Sequence, residues 1–367
     1  MTASASPAAV ELGAWPATLA DASPARAQGA LLGLAVGDAL GTTNEFKTMT
    51  APPFPGLAEG PVADVVGGGP FSLPAGGVTD DTQMAAALAV AVTAAPVLTA
   101  HDLAARYLAW REVAFDVGVQ IGQCLDHVAR GGAAHAAGRA VWEERQRHPA
   151  GNGSLMRTAV IGTLLAGAPE IRREATFLDS AITHFDPRCQ LACAAFNAAI
   201  AHAVGDAPTP ASMLQAAARE LEVAARALRA HHPDLEREID QAAAALAADL
   251  ERARADDPGL YGDEVNLPRM AGFVRVAFRL AWWELLHAPS FTAAVIDAAN
   301  RGGDADTNAA IVGALWGAYA GVDAIPRAWL GRTLRAPGLH AGDLDLHPRA
   351  LVAALAYGFG ASRLVAL

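Results

Sequence analysis

Nearly every long segment of the chain spaces its apolar residues three or four positions apart, and this periodicity constrains the fold more than any other feature. Runs of β-branched residues with a two-residue alternation are scarce. The pattern therefore predicts an all-α fold. The longest apolar runs, such as 309–322, fall short of the roughly 20 residues that a bilayer-spanning helix needs, so we expect no membrane span.

The 367 residues could form two small domains or one large domain, and we predict one, over 26–360. Residues 1–25 lack the basic start and continuous apolar core of a secretory signal and are predicted to form a disordered leader. Segment 206–257, rich in Ala, Glu and Arg, is predicted to be a peripheral helical insertion, with a coiled-coil partner surface as the alternative. The predicted helices cover 25–40, 79–95, 100–112, 117–131, 154–167, 173–182, 187–204, 208–254 in two pieces, 268–287, 290–299, 305–320 and 346–358.

The net charge and the cysteine content limit the cellular compartment and the binding partners that we expect. The net charge is −11 and the arginines are scattered among acids, so the chain lacks the basic stripe of a general nucleic-acid binder. The three cysteines lie in apolar helical patterns, which indicates reduced thiols in a cytoplasmic protein. We expect a monomer.

Two acidic motifs, each at the start of a helical pattern, stand far apart in the chain. Residues 79–82 read Thr-Asp-Asp-Thr and residues 304–307 read Asp-Ala-Asp-Thr. Helix capping is one interpretation, but a cap needs a single oxygen, and paired acids repel each other without a cation. Carboxylate and hydroxyl oxygens favour Mg²⁺ or Mn²⁺ over zinc, so we predict two divalent cations about 4 Å apart. The candidate ligands are Thr79, Asp80, Asp81, Asp304, Asp306 and Thr307.

Two further segments carry candidate site residues. After an apolar helix, Asp38 and Glu45 either reach the metal site or belong to an ordinary helix end with a solvated glutamate. The Gly-Asn-Gly-Ser sequence at 151–154 is either a cradle for a diphosphate or a simple turn. Neither a Walker loop nor a dinucleotide-binding fingerprint is present.

The order of five motifs resembles the ADP-ribosylglycohydrolases, and in particular their dinitrogenase reductase-activating, ADP-ribosylarginine hydrolase-like branch. The resemblance spans about residues 26–335. The motifs are Gly-Leu-Ala-Val-Gly-Asp-Ala-Leu-Gly at 33–41, Thr-Asp-Asp-Thr at 79–82, Gly-Asn-Gly-Ser-Leu-Met-Arg at 151–157, Ile-Thr-His at 182–184 and Gly-Gly-Asp-Ala-Asp-Thr at 302–307. The resemblance implies a single-domain, compact orthogonal helical bundle with a binuclear metal cleft.

The activity implied by the resemblance is removal of ADP-ribose from a modified acceptor, by attack of a metal-activated water at the anomeric carbon of the ribose. Arginine is the expected acceptor; serine, another acceptor, or a non-catalytic ADP-ribose-binding protein are alternatives. A metal-dependent phosphoesterase is a further one. By position, the implied catalytic residues are Glu45, Asp116 and Asp304. The implied substrate-binding residues are Asn152, Gly153, Ser154, His184, Gly302 and Gly303.

His184 and Trp142 each have two possible interpretations. His184 is followed at helical spacing by Cys189, Cys193 and His202, which could instead form a zinc cluster with it. Trp142 either stacks on adenine or anchors the loop before residue 151.

Overall fold

The computed structural model describes residues 6–13, 19–47, 62–205, 207–257, 260 and 270–367. In these ranges the chain forms fifteen α-helices and four short strands, which confirms the prediction of an all-α, single-domain fold. None of the helices described is both long and apolar enough to cross a bilayer. The helices are α1 Pro24–Gly41, α2 Asp80–Ala94, α3 Ala100–Arg111, α4 Val119–Ala129, α5 Ala134–Glu144, α6 Ala159–Leu164, α7 Pro169–Thr183, α8 Pro187–Gly205, α9 Pro210–His231, α10 Glu236–Ala253, α11 Val274–His287, α12 Phe291–Asn300, α13 Ala305–Ala320, α14 Arg327–Arg335 and α15 Pro348–Phe359. The strands are β1 Ala9–Glu11, β2 Val97–Thr99, β3 His340–Ala341 and β4 Leu344–Asp345.

Part of the segment predicted as a disordered leader is a strand. β1 pairs antiparallel with β2, and the side chains of Val10 and Leu12 are buried there. Leu19, further along the same segment, is also buried. The prediction is wrong for these residues because their apolar side chains are removed from water. Residues 1–5 and 14–18 of the predicted leader lie outside the described ranges.

Helices α1 and α13 pack backbone to backbone along a ridge of glycines. A Cβ atom added to any of four glycines of α1 would stand 2.1–2.3 Å from a carbonyl oxygen of α13, so no side chain fits between the helices. This contact places Asp38 of α1 beside the first turn of α13, where Asp306 lies. The glycines, spaced four residues apart, are Gly29, Gly33, Gly37 and Gly41.

Helices α5 and α14 were not predicted from the sequence. In α5 the buried face consists mainly of alanine with Val141 and Trp142, and in α14 it consists of Trp329, Leu330 and Thr333. Such short faces, interrupted by arginine and glycine, give a weak helical period, and the helices form because packing covers these faces.

Two predicted helices are shorter in the structure, and both differences concern one region. The helix predicted over 154–167 is α6, at 159–164, and the helix predicted over 268–287 begins at Val274. The residues before each helix form loops that pair with each other: the N–H of Asn152 donates to the carbonyl of Gly272 at 3.0 Å, and that of Val274 to the carbonyl of Ala150 at 2.9 Å.

Segment 206–257 contains two helices, α9 and α10, separated by a 3₁₀ turn at Pro233–Leu235. The carboxylate of Asp249, fully buried on α10, accepts hydrogen bonds from Arg275 and Arg279 of α11. These charge-assisted bonds fix the second helix of the pair to the body of the protein.

Candidate metal centre and ligand cavity

Helix α2 is capped by a residue from another helix. Thr79, at its N-cap position, makes no side-chain capping hydrogen bond. Instead the carboxylate of Asp38 accepts the backbone N–H groups of Thr79 and Thr82 at 3.0 and 3.1 Å, and also the Thr79 hydroxyl at 2.9 Å. Capping by Thr79 itself, the alternative weighed from the sequence, is therefore wrong. The acids that follow Thr79 are left available to bind a ligand.

Helix α13 is capped in the same way. Its N-cap residue, Asp304, makes no side-chain capping hydrogen bond. The Oε2 atom of Glu45 accepts the N–H groups of Ala305 at 2.7 Å and of Asp306 at 3.4 Å. Glu45 is thus buried at a helix N-terminus and is not the solvated glutamate of the alternative interpretation. Burial, followed by the charges of Asp306 and Asp304, raises the pKa of its carboxyl group to about 12.

The two helix starts bring several carboxylates around one hydroxyl group. Besides its contact with Asp38, Thr79 Oγ1 lies 3.0 Å from Asp81 Oδ2 and 3.2 Å from Asp306 Oδ2. A hydroxyl has one proton, so it can satisfy only one of these oxygens at a time. Asp81 Oδ1 is buried and has no hydrogen-bond partner among the described residues. Carboxylate oxygens buried in this way need a cation or protons.

The carboxylates form two adjoining groups that could each hold a metal ion. Oxygens of Asp38, Asp81 and Asp306 lie within 4.8 Å of one another, and so do oxygens of Glu45, Asp304 and Asp306. Asp306 belongs to both groups, so it can bridge two ions. Because all the donors are oxygens, the residues fit hard divalent cations such as Mg²⁺ or Mn²⁺.

The electrostatics of the cluster also favour a cation. Burial, followed by the charge of Asp306, raises the pKa of Asp38 and of Asp304 to about 7. Burial is likewise the main cause that raises the pKa of Asp80 and Asp81 well above the usual range of aspartates. These carboxyl groups are therefore hard to ionise together unless positive charge is supplied.

A cavity of about 260 Å³ opens in front of the cluster. Thr79 and Asp81 lie behind its wall. Asp116 also lines the cavity, and burial raises its pKa to about 6, with a further contribution from the charge of Asp306. The predicted metal and catalytic residues that line the cavity are Glu45, Asp80, Asp116, Asp304, Asp306 and Thr307.

The loop at 151–154 forms another wall of the cavity. The side-chain amide of Asn152 donates to Asp304 Oδ2 at 2.8 Å and so orients a candidate metal ligand. His184 lies at the end of α7, and a Cβ atom on Gly153 would stand 2.7 Å from its Cε1 atom, so only glycine allows this approach. The structure thus brings together three of the predicted substrate-binding residues, Asn152, Gly153 and His184.

The other three predicted substrate-binding residues do not line the cavity. The Ser154 side chain is fully buried and accepts a hydrogen bond from the Ser180 hydroxyl at 2.9 Å. Gly302 and Gly303 have φ angles of +70° and +71°, which suit glycine. Gly303 exchanges backbone hydrogen bonds with Phe46 and Lys47. These residues support the loops from behind, which motif matching alone does not reveal.

Arg157 is a positioning residue that sequence analysis missed. It is fully buried, pairs with Asp179, and donates hydrogen bonds of 2.8 Å to the carbonyl of Gly153 and to the hydroxyl of Thr183. It therefore ties the 151–154 loop to the end of α7. Burial, followed by the charge of Arg157, lowers the pKa of His184, which keeps this imidazole neutral. The available signal was an arginine within an apolar stretch.

The structure also decides between the alternative interpretations of His184 and of Trp142. Among the described residues no metal-binding group contains cysteine or histidine, and the zinc interpretation of His184 is therefore not supported. Trp142 is buried, and its indole N–H donates to Asp186 at 2.8 Å, so it anchors the fold and does not offer a free face to adenine.

A second cleft, of about 550 Å³, adjoins the first at Gly151 and Gly272. Arg145, His148 and Arg188 line it. Acidic side chains thus surround one end of the combined cleft, and basic ones the other.

Comparison with known proteins identifies the family of the chain. The family model for ADP-ribosylglycohydrolase matches residues 19–364. The chain belongs to the ADP-ribosylglycohydrolase family. It is accordingly a glycosidic-bond hydrolase, and the resemblance found in the sequence motifs is confirmed.

Three relatives of this ADP-ribosylglycohydrolase illustrate the range of the family. ADP-ribosyl-[dinitrogen reductase] glycohydrolase of Rhodospirillum rubrum is 28% identical over 315 residues, which cover 84% of this chain and 90% of the relative. ADP-ribosylarginine hydrolase Tri1 of Pseudomonas putida (strain GB-1) is 30% identical and covers 83% and 73%. A solved structure described as an ADP-ribosylglycohydrolase-related protein complex is 29% identical, has a TM-score of 0.66, and covers 92% and 98%.

The raised pKa values of the cluster predict how cation binding depends on pH. The metal-free fold retains protons on Asp38 and Asp304 that the unfolded chain has lost, so its stability falls as pH rises from about 4 to about 7. A divalent cation such as Mn²⁺ would compete with these protons, so we expect its stabilising effect to grow over the same interval. We expect the Mn²⁺-induced rise in Tm, measured by calorimetry against EDTA, to be small at pH 5 and largest at pH 8. A rise in Tm of the same size at pH 5 and at pH 8 would contradict this expectation.

Proposed function

We propose that this ADP-ribosylglycohydrolase removes ADP-ribose from arginine side chains of modified proteins and requires two divalent cations, Mg²⁺ or Mn²⁺. The observation that carries the proposal is the pair of oxygen-only groups that share Asp306 beside the cavity. The acceptor follows from the Tri1 relatives, which are named ADP-ribosylarginine hydrolases.

The residues that would hold the cations come from both acidic motifs and from α1. Asp38, Asp81 and Asp306 would supply oxygens at one position, and Glu45, Asp304 and Asp306 at the other. Thr79, Asp80 and Thr307 add oxygens at the cluster or the cavity wall. When bound, two such cations supply positive charge that orients sugar hydroxyls and lowers the pKa of a coordinated water.

Two carboxylates of the chain are suited to proton transfer. Cleavage of the bond between the ribose and the acceptor nitrogen builds oxocarbenium character on the ribose. Water adds its hydroxyl to the anomeric carbon, and its proton passes to the departing guanidino nitrogen. Glu45 and Asp116 line the cavity, and Asp116 accepts no hydrogen bond from the described residues. We assign the proton transfers to these two acids.

The remaining groups position the substrate. Asn152 holds Asp304 in place, and the glycines of its loop let a ligand approach the backbone closely. The adjoining cleft has Arg145 on its wall, which can pair with the diphosphate, beside Arg188, whose guanidinium group is paired with Asp186. The ADP-ribose would thus extend from the acidic cavity, with its ribose at the cations, into the basic cleft.

The test is the release of free ADP-ribose from an arginine-ADP-ribosylated protein, measured by mass spectrometry with Mg²⁺ or Mn²⁺ and again with EDTA. We expect release that requires the cation. Release only from a serine-linked substrate would correct the acceptor. Tight ADP-ribose binding without turnover on any linkage would favour a non-catalytic binding protein, and phosphate release from a model ester without ADP-ribose would favour a phosphoesterase.

A further inference from the structure

Three phenylalanine rings form a row beside the mouth of the cavity. Phe46 lines the cavity, and its ring meets that of Phe71 edge-on at a centroid distance of 6.3 Å. The Phe71 ring lies 5.3 Å from that of Phe115, the residue before Asp116. Phe46 is 68% exposed and Phe115 is 42% exposed. Exposed apolar groups at the edge of a polar cavity are typical of a binding surface.

The backbone of Phe46 is held in an unfavourable conformation. Its φ angle is +60°, in the left-handed region that bulky residues rarely adopt. Two backbone hydrogen bonds maintain it: the Phe46 N–H donates to Gly303 at 2.8 Å, and the Gly303 N–H donates to Lys47 at 2.9 Å. Strain of this kind concentrates at functional sites, and here it presents an aromatic ring to solvent next to Glu45.

The charge beside the aromatic row is negative. Among the described residues that line this cavity there is no lysine or arginine, whereas Asp80, Asp116 and Asp304 all face it. Asp116 follows Phe115 directly and accepts no hydrogen bond from any described residue. A guanidinium group matches both features, because it stacks on aromatic rings and pairs with a carboxylate through two N–H groups. The hydroxyl-derived oxygen of a serine acceptor matches neither.

We propose that Phe46, Phe71 and Phe115 form the acceptor-recognition surface of the enzyme, and that this surface receives the guanidino group of an ADP-ribosylated arginine, with Asp116 as its hydrogen-bond partner. The row then selects arginine over hydroxyl acceptors, while the metal cluster and the 151–154 loop bind the ADP-ribose that all acceptors share. This inference rests on the proposed hydrolase function and adds the residues that determine its specificity.

The experiment compares Phe115→Ala, Phe115→Leu and Phe115→Tyr with the unaltered enzyme in saturating Mn²⁺, on a short peptide that carries ADP-ribosyl-arginine. We expect KM to rise about five- to tenfold in the Ala and Leu variants, the loss of one cation–π contact, with kcat nearly unchanged. The Tyr variant keeps the aromatic face and should retain the original KM. Phe71→Ala should also raise KM. The affinity for free ADP-ribose, measured by calorimetry, should stay the same in every variant.

The matched control is Tyr357→Ala, which removes an exposed aromatic ring from α15 that does not line the cavity. It should leave KM unchanged.

Unchanged KM in Phe115→Ala and Phe71→Ala, with an active parent enzyme, would overturn the recognition surface and leave the hydrolase function standing. An equal loss of ADP-ribose affinity would assign the row to the shared ligand and not to the acceptor. If Phe115→Leu kept the KM of the unaltered enzyme, an aromatic ring would not be needed at this position, and the proposed stacking of the guanidinium group would be wrong. A parent enzyme inactive on every linkage would overturn both proposals.

Discussion

Replacement of Asp304 by alanine is expected to lower kcat/KM by more than about 100-fold, since changes even in the residues that surround metal ligands cost about 10- to 100-fold. Asp304 belongs to one of the two carboxylate groups, lines the cavity and accepts the side-chain hydrogen bond of Asn152. Its loss therefore disturbs both the cation and the cavity wall. The measurement is ADP-ribose release in saturating Mn²⁺.

The same substitution should leave the fold intact. In EDTA the variant has one buried carboxyl group fewer in a cluster whose charges repel each other, so its Tm should equal or exceed that of the parent protein. Asp102→Ala provides a matched control, because Asp102 is also an aspartate in the first turn of a helix but is exposed on α3. We expect ordinary turnover from that control. Full activity of Asp304→Ala would contradict the metal assignment, and loss of its helical circular dichroism would leave a merely structural role for Asp304.

The acidic motifs could be recognised from the sequence because residue type carries the information. Paired aspartates at two helix starts exceed what capping requires. The structure places Asp81, Asp304 and Asp306 in two adjoining carboxylate groups, and Asp80 lines the cavity in front of them. The capping role of Asp38 could not be recognised, since it depends on a contact with Thr79 across 41 positions of the chain. The same limit applies to Glu45, which meets Ala305 across 260 positions.

The sequence also does not show which side chains of the 151–154 loop face the cavity. Asn152 and Ser154 belong to one motif, yet the Asn152 side chain reaches Asp304 at the cavity while that of Ser154 points into the interior toward Ser180. A motif identifies the loop, but the turn conformation decides which side chain faces the ligand. Arg157 was missed because its role is tertiary: it holds Gly153 and Thr183 together from below the cavity.

The glycine ridge of α1 is a feature that one sequence shows only in part. Four glycines at four-residue spacing lie on one face of a helix, which indicates a close helix neighbour. The sequence does not say which helix that neighbour is. In the structure it is α13, the helix that carries Asp306, so the ridge links the packing of the core to the geometry of the carboxylate cluster.

Gly37→Ala is therefore expected to lower both the stability of the protein and its affinity for Mn²⁺. A Cβ atom at Gly37 would stand 2.1 Å from the carbonyl oxygen of Ala309 and 2.9 Å from the Cα of Ala310, and backbone atoms cannot move aside as a side chain can. The two helices must separate, and we expect the free energy of unfolding to fall by about 1–3 kcal/mol, the usual cost of overpacking. Because Asp38 is the next residue, separation also moves its carboxylate away from Asp306 of α13, with which it shares a carboxylate group. Chemical denaturation in EDTA, and titration with Mn²⁺, would measure the two effects separately.

Gly122→Ala is the matched control, since it makes the same substitution in the interior of another helix. Gly122 lies in α4, where an added Cβ would meet only Val117 Cγ1, at an ordinary contact distance of 3.7 Å. There the better helix propensity of alanine should raise the free energy of unfolding by up to about 1 kcal/mol. One substitution at two helical glycines is thus expected to change stability in opposite directions, and only the one in α1 should weaken Mn²⁺ binding. If both variants were equally stable, the ridge would not set the distance between α1 and α13. If Gly37→Ala were unstable but bound Mn²⁺ as tightly as the parent protein, the position of Asp38 would not depend on that distance.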